Sequence, residues 1–277
     1  MFKELIFKVL DEIEKIEERM YEENFFTFSI EKEGKGVFLK IYLKPEENLP
    51  DFLKEMKLEF VREERTFPKN WFSKCLFEPF EVVSNIIVDP SGRFKSKDKL
   101  VIKLTPGLAF GTGYHPTTKM ALSFILESIR KDISFLDIGC GTGILSIVAK
   151  KLGAGRVLAV DIDSKAVEIA KENALKNEVE IEVIESNLLE KVKGKYDMIV
   201  ANILPEVLLE LLEDVHKVSH NETVLILSGI TREKEKLLLD KAKLKGWVLV
   251  DRKIEDEWIC FMMKRSLKNN LEEKSRI

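Results

Sequence analysis

Little in this chain points to a metal, a membrane or secretion. Its three cysteines, Cys75, Cys140 and Cys260, lie far apart without the paired spacing of a metal site, and an odd number cannot all pair within one chain. A reducing compartment follows, and no metal is expected. No apolar run approaches the roughly 18 residues that a membrane helix needs, and the first residues lack the apolar core of a signal peptide. The chain reads as cytoplasmic, without membrane contact. Net charge is nearly absent as well: 45 basic residues against 48 acidic ones leave -3, which disfavours a strongly basic nucleic-acid binder. Repeats and low-complexity blocks are missing too. Nothing signals an oligomer, so a monomer is expected.

What is present is a dense mixture of apolar and charged residues, 45% and 34% of the chain, which excludes a disordered or fibrous protein and predicts a globular one. The surplus of Glu and Lys suits the surface ion-pair networks of a thermophile. With 277 residues, the chain exceeds the commonest domain size of roughly 100–150, so two units are expected.

The character of the sequence changes near Thr66 and again near Lys97. Residues 1–65 read as a small α+β domain. Met1–Val9 suits either strand or helix, Asp11–Glu23 is helical by composition, and Asn24–Ile30 and Val37–Leu43 alternate like strands around Gly34-Lys35-Gly36. A short helix over Asp51–Met56 and a strand over Lys57–Glu63 complete a ferredoxin-like order. Residues 66–97, with Pro68, Pro79 and Pro90, read as a connector carrying one or two strands of its own.

Residues 98–265 form the second domain, and 266–277 a polar tail. Beyond Ile133 strands and helices alternate with short loops, which predicts a doubly wound α/β sheet of seven strands, Rossmann-like. The strands expected are 135–138, 156–160, 180–184, 197–201, 223–227, 247–252 and 258–263. The helices expected are 144–152, 165–176, 205–218 and 232–244. No helix separates the last two strands, so a terminal hairpin is expected.

Chemistry concentrates at three strand ends and one loop. In Phe135-Leu136-Asp137-Ile138-Gly139-Cys140-Gly141-Thr142-Gly143, a buried strand runs into a glycine turn and then a helix. Glycines there let backbone approach a ligand where any Cβ would collide. A dinucleotide fingerprint would need glycine three residues after Gly141, where Ile144 stands, so a nicotinamide oxidoreductase is disfavoured. About twenty residues on, a strand ends in Asp161-Ile162-Asp163. Asp161 is placed to accept both hydroxyls of a ribose, whereas Asp163 suits equally a helix cap. A packing turn and a capping Asp are the plain alternatives; their joint spacing favours a nucleoside ligand.

At the end of another strand stands Asn202-Ile203-Leu204-Pro205, akin to the Asn/Asp-Pro-Pro-aromatic motif of amino-methylating enzymes. Its side-chain carbonyl can accept an amine's protons and aim its lone pair; alternatively Asn202 caps the helix opening at Pro205. The stretch Leu104–Thr118 holds three glycines, two prolines and four threonines, an irregular loop suited to cradle a polar ligand and to end in a helix from about Lys119. His115 within it is either a general base or a hydrogen-bonded structural element.

Taken together, Pro106–Thr118, Asp137–Leu145, Val160–Asp163 and Ala201–Leu204 closely resemble the ribosomal protein L11 methyltransferases, class I enzymes dependent on S-adenosylmethionine that trimethylate amino groups of that large-subunit protein. The loop motif is specific to that family and near relatives; the glycine motif is general. The resemblance implies that Thr118, Gly139, Asp161 and Asn202 contact the cofactor or its surroundings. It also implies that the loop from Phe110, Gly111 and Thr112 to Thr118 folds over it, and that Asp137, Gly141 and Gly143 belong to the same pocket. Two positions depart from the family pattern. Tyr114 stands where Thr is frequent, and Ser186-Asn187 where Gly-Asp is common, although Asn187 can still accept from the adenine amino group. In that family the small N-terminal domain grips the protein substrate; here it is either that or a structural appendage. Another lysine-bearing protein, such as an electron-transfer flavoprotein subunit, is the alternative substrate, and a non-enzymatic cofactor-binding assembly module the more distant one.

Overall fold

The structure is a computed structural model and describes residues 2–23, 28–34, 36–43, 47–66, 79–90, 94–104 and 110–266. Expectations that fall on the remaining residues, including the start of the Leu104–Thr118 loop and most of the tail, lie outside what is described. The described residues form two compact units that part at Pro79.

In the first unit, β1 (Phe2–Val9) resolves the strand-or-helix ambiguity. Leu5, Phe7 and Val9 fall on one face at period two and are buried together, which only a strand provides. Next come α1 (Ile13–Glu22), β2 (Phe28–Glu33) and β3 (Gly36–Leu43). Leu39, Ile41 and Leu43 of β3 join the β1 residues against Ile16 and Met20, one helical turn apart on α1. The helix expected over Asp51–Met56 is a 3-10 turn, Asp51–Glu55. Five residues behind Pro50 are too few to meet the cost of nucleating an α-helix, yet enough to bury Leu53. The last strand, β4 (Leu58–Thr66), pairs with β1, and the antiparallel sheet has the order β2-β3-β1-β4.

The second unit begins with β5 (Phe80–Val83), β6 (Ile86–Asp89) and β7 (Leu100–Lys103), a three-stranded sheet of order β5-β6-β7. β5 and β6 turn about Asn85, whose positive φ of 68° an Asn tolerates. The expected connector boundary at residue 97 therefore cuts through a folded sheet. Val82, Ile86, Val88 and Ile102 are part of the main core of this unit, so its edge lies at Pro79. Short strands with prolines nearby concealed this.

The remaining elements are α2 (Pro116–Ser128), β8 (Phe135–Ile138), α3 (Ile144–Lys151), β9 (Val157–Asp161), α4 (Ser164–Lys176), β10 (Glu182–Glu185), β11 (Tyr196–Asn202), α5 (Pro205–Asp214), β12 (Ser219–Thr231), α6 (Glu235–Leu244), β13 (Trp247–Glu255) and β14 (Trp258–Arg265). They build a seven-stranded sheet of order β10-β9-β8-β11-β12-β14-β13. Its five strands from β10 to β12 run parallel, and β14 is antiparallel to both neighbours. The expected hairpin is present, with β13 at the sheet's edge and β14 returning between it and β12.

The central strands are dominated by apolar residues because both faces are buried. Phe135, Met198, Val200 and Ile226 face Phe124 and Ile125 of α2 and Ile147 and Val148 of α3. Their neighbours Leu136, Ile199, Ala201 and Leu225 face Leu208 and Leu212 of α5 and Leu238 of α6. Glu213 pairs with both Lys241 and Lys245, tying α5 to the last turn of α6 and its C-cap. The helix expected from about Lys119 begins three residues earlier, since Pro116 is favourable at the first helical position and His115 caps it. Among the described residues no helix is long and apolar enough to cross a membrane.

Candidate active site

Parallel strands bring their carboxyl ends to one edge of the sheet. β8 ends there at Ile138, β9 at Asp161 and β11 at Asn202, while Ser228 of β12 is the register partner of Asn202. The strand order reverses between β8 and β11, and open α/β sheets bind ligands at such a switch point.

The glycine turn after β8 is built from backbone held in the left-handed region, with φ of 72° at Gly139, 52° at Gly141 and 77° at Gly143. It is sewn to β9. The N–H groups of Gly139 and Cys140 both donate to the Val160 carbonyl (2.8 and 3.0 Å), and Gly141 N–H donates to Asp161 Oδ2 (2.9 Å). A Cβ on Gly139 would strike the Ile203 side chain, and one on Gly141 the Phe110 carbonyl oxygen. Loop and turn are thus packed backbone to backbone. Thr142 fastens them: its N–H donates to Phe110 O (3.0 Å) and its Oγ1 to Gly111 O (2.7 Å).

Asp137 is fully buried in β8. Its Oδ2 accepts from Ser146 Oγ at 2.8 Å, and its Oδ1 has no partner. Burial, opposed in part by the Ser146 hydrogen bonds, pushes its carboxyl up to about 7. Asn202, also buried, donates from Nδ2 to Thr118 Oγ1 at 3.3 Å, and its Oδ1 is likewise unpartnered. Among the described residues three buried side-chain polar atoms lack a partner, and these two lie at the strand ends. Buried acceptors are normally satisfied, so this pair marks where ligand donors fit: a cationic group at Asp137 and an N–H at Asn202. With the glycine cradle between them, the residues suit S-adenosylmethionine, whose ammonium matches the first.

Asp161 and Asp163 differ in their bonding. Asp163 accepts from Lys165 N–H at 2.9 Å and caps α4. Asp161 receives Gly141 N–H on one oxygen and Asp163 N–H on the other (3.0 Å), which orients its carboxylate at the strand tip with lone pairs to spare. The cap reading of Asn202 fails, because α5 is preceded by Leu204 with no side-chain cap bond. Asn187 is exposed and its Nδ2 donates to Glu190 (3.2 Å), so it is joined to the other site residues only through Ser186, whose N–H donates to the Asp161 carbonyl (2.8 Å).

His115 caps a helix. Its Nδ1 accepts from Thr117 N–H (3.4 Å) as the cap of α2 and lies 2.8 Å from Thr117 Oγ1. The ring lies against Phe110 and Trp258, with centroids 5.5 and 4.9 Å away, and burial holds its pKa below the usual range. Tyr114, the departure from the family pattern, stacks on Phe80 of β5 with centroids 3.6 Å apart.

Sequence reasoning missed Ser146, and it named Ser228 and Gly229 only as part of the looser family resemblance, with no role assigned. Ser228 Oγ donates to Thr117 O (2.8 Å) and so fixes the start of α2 beside Asn202. Gly229, at φ 87°, is where a Cβ would strike the Ile203 carbonyl. Only the unexplained Ser-Gly pair inside a strand pattern could have signalled them.

Comparison with known proteins agrees with this geometry. Residues 10–266 match the family model described as ribosomal protein L11 methyltransferase (PrmA). A ribosomal protein L11 methyltransferase of Thermotoga petrophila is 51% identical over 266 residues, covering 96% of this chain and 99% of that one. One of Thermosipho africanus is 40% identical, covering 95% and 98%. Among solved structures, a ribosomal protein L11 methylase of Lactobacillus delbrueckii subsp. bulgaricus superposes with a TM-score of 0.65 at 32% identity, covering 68% of this chain and 98% of that one.

Proposed function

The chain belongs to the ribosomal protein L11 methyltransferase family, whose members use S-adenosylmethionine, and from that premise we propose that it methylates lysine or N-terminal amino groups of ribosomal protein L11, up to the trimethylated state. The observation that carries the amine assignment is the Asn202 carboxamide: Nδ2 is held by Thr118 and Oδ1 is buried and unpaired.

S-adenosylmethionine supplies, when bound, a methyl group on a sulfonium. The chain's task is to place a nitrogen in line with it. A lysine amine, with a reference pKa near 10.4, must first lose a proton, which water carries away. An apolar, enclosed site favours the neutral form, and Asn202 Oδ1 accepts one of its hydrogens and so points the lone pair. No covalent enzyme intermediate is needed. We give His115 no part as base, because its Nδ1 accepts from Thr117 N–H at the start of α2. Asp161 takes the ribose hydroxyls, Asp137 the ammonium, and Gly139, Gly141 and Gly143 admit the cofactor against the backbone. Phe110, Gly111 and Thr112 cover it, Thr118 steadies Asn202, and Asn187 reaches the adenine.

The second unit is read as a Rossmann-like methyltransferase domain and the first as ferredoxin-like, with the sheet order β2-β3-β1-β4 in its support. We assign to that first unit the recognition of the protein substrate. The enzyme would act in the cytoplasm, as a monomer and without contacting nucleic acid. The test is incubation with methyl-labelled S-adenosylmethionine and purified L11, followed by mass spectrometry. Mass gain on amino groups of L11 supports the reading; label only on another protein from a lysate would keep the chemistry and replace the substrate.

A further inference from the structure

We infer that Thr142 is a positioning residue for cofactor retention: by clasping Phe110 and Gly111 it latches the covering loop onto the glycine turn that the cofactor lies against. The inference rests on the reading that S-adenosylmethionine occupies that turn.

Thr142 commits both of its donors to successive loop carbonyls, N–H to Phe110 O (3.0 Å) and Oγ1 to Gly111 O (2.7 Å). Its own carbonyl is in turn gripped by Asn173 Nδ2 (2.9 Å), a residue of α4 that is wholly buried. One turn on, Asn177 Nδ2 donates to Asn173 O (2.8 Å) and to Lys103 O (2.6 Å), while Lys103 N–H returns a bond to Asn177 Oδ1 (2.9 Å). Thr142 is thus anchored through α4 to β7. Gly111 and Gly113 both sit at φ 97°, and Phe110 is largely exposed. Approach is also closest at this point, for a Cβ on Gly141 would meet Phe110 O and one on Gly111 would lie 3.0 Å from Thr142 Oγ1.

A side chain in the turn that binds the loop ties the loop's closed position to the state of the turn. Loss of the hydroxyl should leave the reacting groups in place and let the loop open more often. The consequence is faster cofactor escape, not slower chemistry.

The experiment compares T142V and T142S with the unaltered chain. Removing one net hydrogen bond, worth about 0.5–1.5 kcal/mol, predicts cofactor affinity weaker by roughly 2–12-fold in T142V, carried by a faster dissociation rate. The maximal rate at saturating cofactor should stay within about twofold, and T142S should restore affinity. Hydrogen exchange on the unaltered chain provides a second reading that needs no variant to fold. The Thr142 amide should exchange more slowly once S-adenosylmethionine is added, because that amide opens only when the latch does. Unchanged affinity and dissociation in a folded T142V, an equal loss of maximal rate and affinity, or an unresponsive Thr142 amide would each overturn the latch. Failure of the unaltered chain to bind S-adenosylmethionine at all would overturn the reading of the turn itself, and the latch with it.

Discussion

Asn202 and Thr118 meet through a single hydrogen bond of 3.3 Å from Nδ2 to Oγ1, and that bond decides which end of the carboxamide is free. With the amide nitrogen tied down, the carbonyl oxygen is left as the unpaired acceptor at the end of β11. Replacing Asn202 by Ala should lower the maximal rate by about 10²-fold, the scale on which misplacement of a reactant acts. Cofactor affinity should fall far less. Thr118→Val, which frees the carboxamide to rotate, should lower the rate by a smaller factor in the same direction. Steady-state kinetics with cofactor and protein substrate varied separately check both, and an equal loss of rate and cofactor affinity in N202A would refute the orienting role.

The two carboxylates after β9 should separate in their effects. Asp161→Ala removes both the ribose acceptor and the bond that pins Gly141, so cofactor binding should fall steeply; calorimetric titration reads it directly. Asp163→Ala removes the cap of α4 and should cost about 0.5–2 kcal/mol of stability with cofactor affinity nearly intact. Should the two variants trade these effects, the assignments are reversed.

Much of the site is legible in the sequence, for identifiable reasons. The glycine turn and Asp161 announce themselves because a buried parallel strand must end in a loop, and few residue types tolerate the backbone there. The apolar residues on both sides of β8 and β11 follow from burial on both faces. Ser146 is invisible at that level. It lies nine positions after Asp137 with no spacing rule linking a strand residue to the helix that packs over it. The role of His115 stays open in the sequence because Tyr-His-Pro suits a base as well as a cap; only the Nδ1 contact to Thr117 separates them. The boundary at Pro79 is misplaced from sequence because β5 and β6, four residues each, resemble strands within a connector until their burial against α2 and α3 is seen.

Asp137 should make stability depend on pH. Its carboxyl titrates near 7 in the folded chain against 3.8 ordinarily, so the folded state holds a proton that the unfolded state has already lost. The contribution is full below about 3.8 and is lost progressively as pH rises to about 7, amounting to about 4 kcal/mol at most. Asp137→Asn cannot ionise. Its advantage in thermal unfolding over the cofactor-free parent should therefore grow from about pH 4 and level off above about pH 7. The same variant should bind S-adenosylmethionine more weakly, since it presents no anion to the ammonium. A stability difference that does not change with pH would show that Asp137 stays ionised throughout.

Where the chain is cut should decide whether the second unit survives alone. A fragment beginning at residue 98, the boundary suggested by sequence, discards Val82, Ile86 and Val88, all buried in the main core. At about 1.5–3 kcal/mol for each buried side chain, that loss rivals the roughly 5–15 kcal/mol that holds a domain together. It also removes Phe80, on which Tyr114 of the covering loop stacks. A fragment beginning at Pro79 keeps all of these and should fold cooperatively and bind S-adenosylmethionine, while losing methylation of the protein substrate that the first unit is assigned to recognise. Thermal unfolding and cofactor titration of the two fragments, with methylation of L11 as the third reading, test this. Equal stability of the two would place β5 and β6 outside the cooperative core, and full methylation by the Pro79 fragment would remove the first unit from substrate recognition.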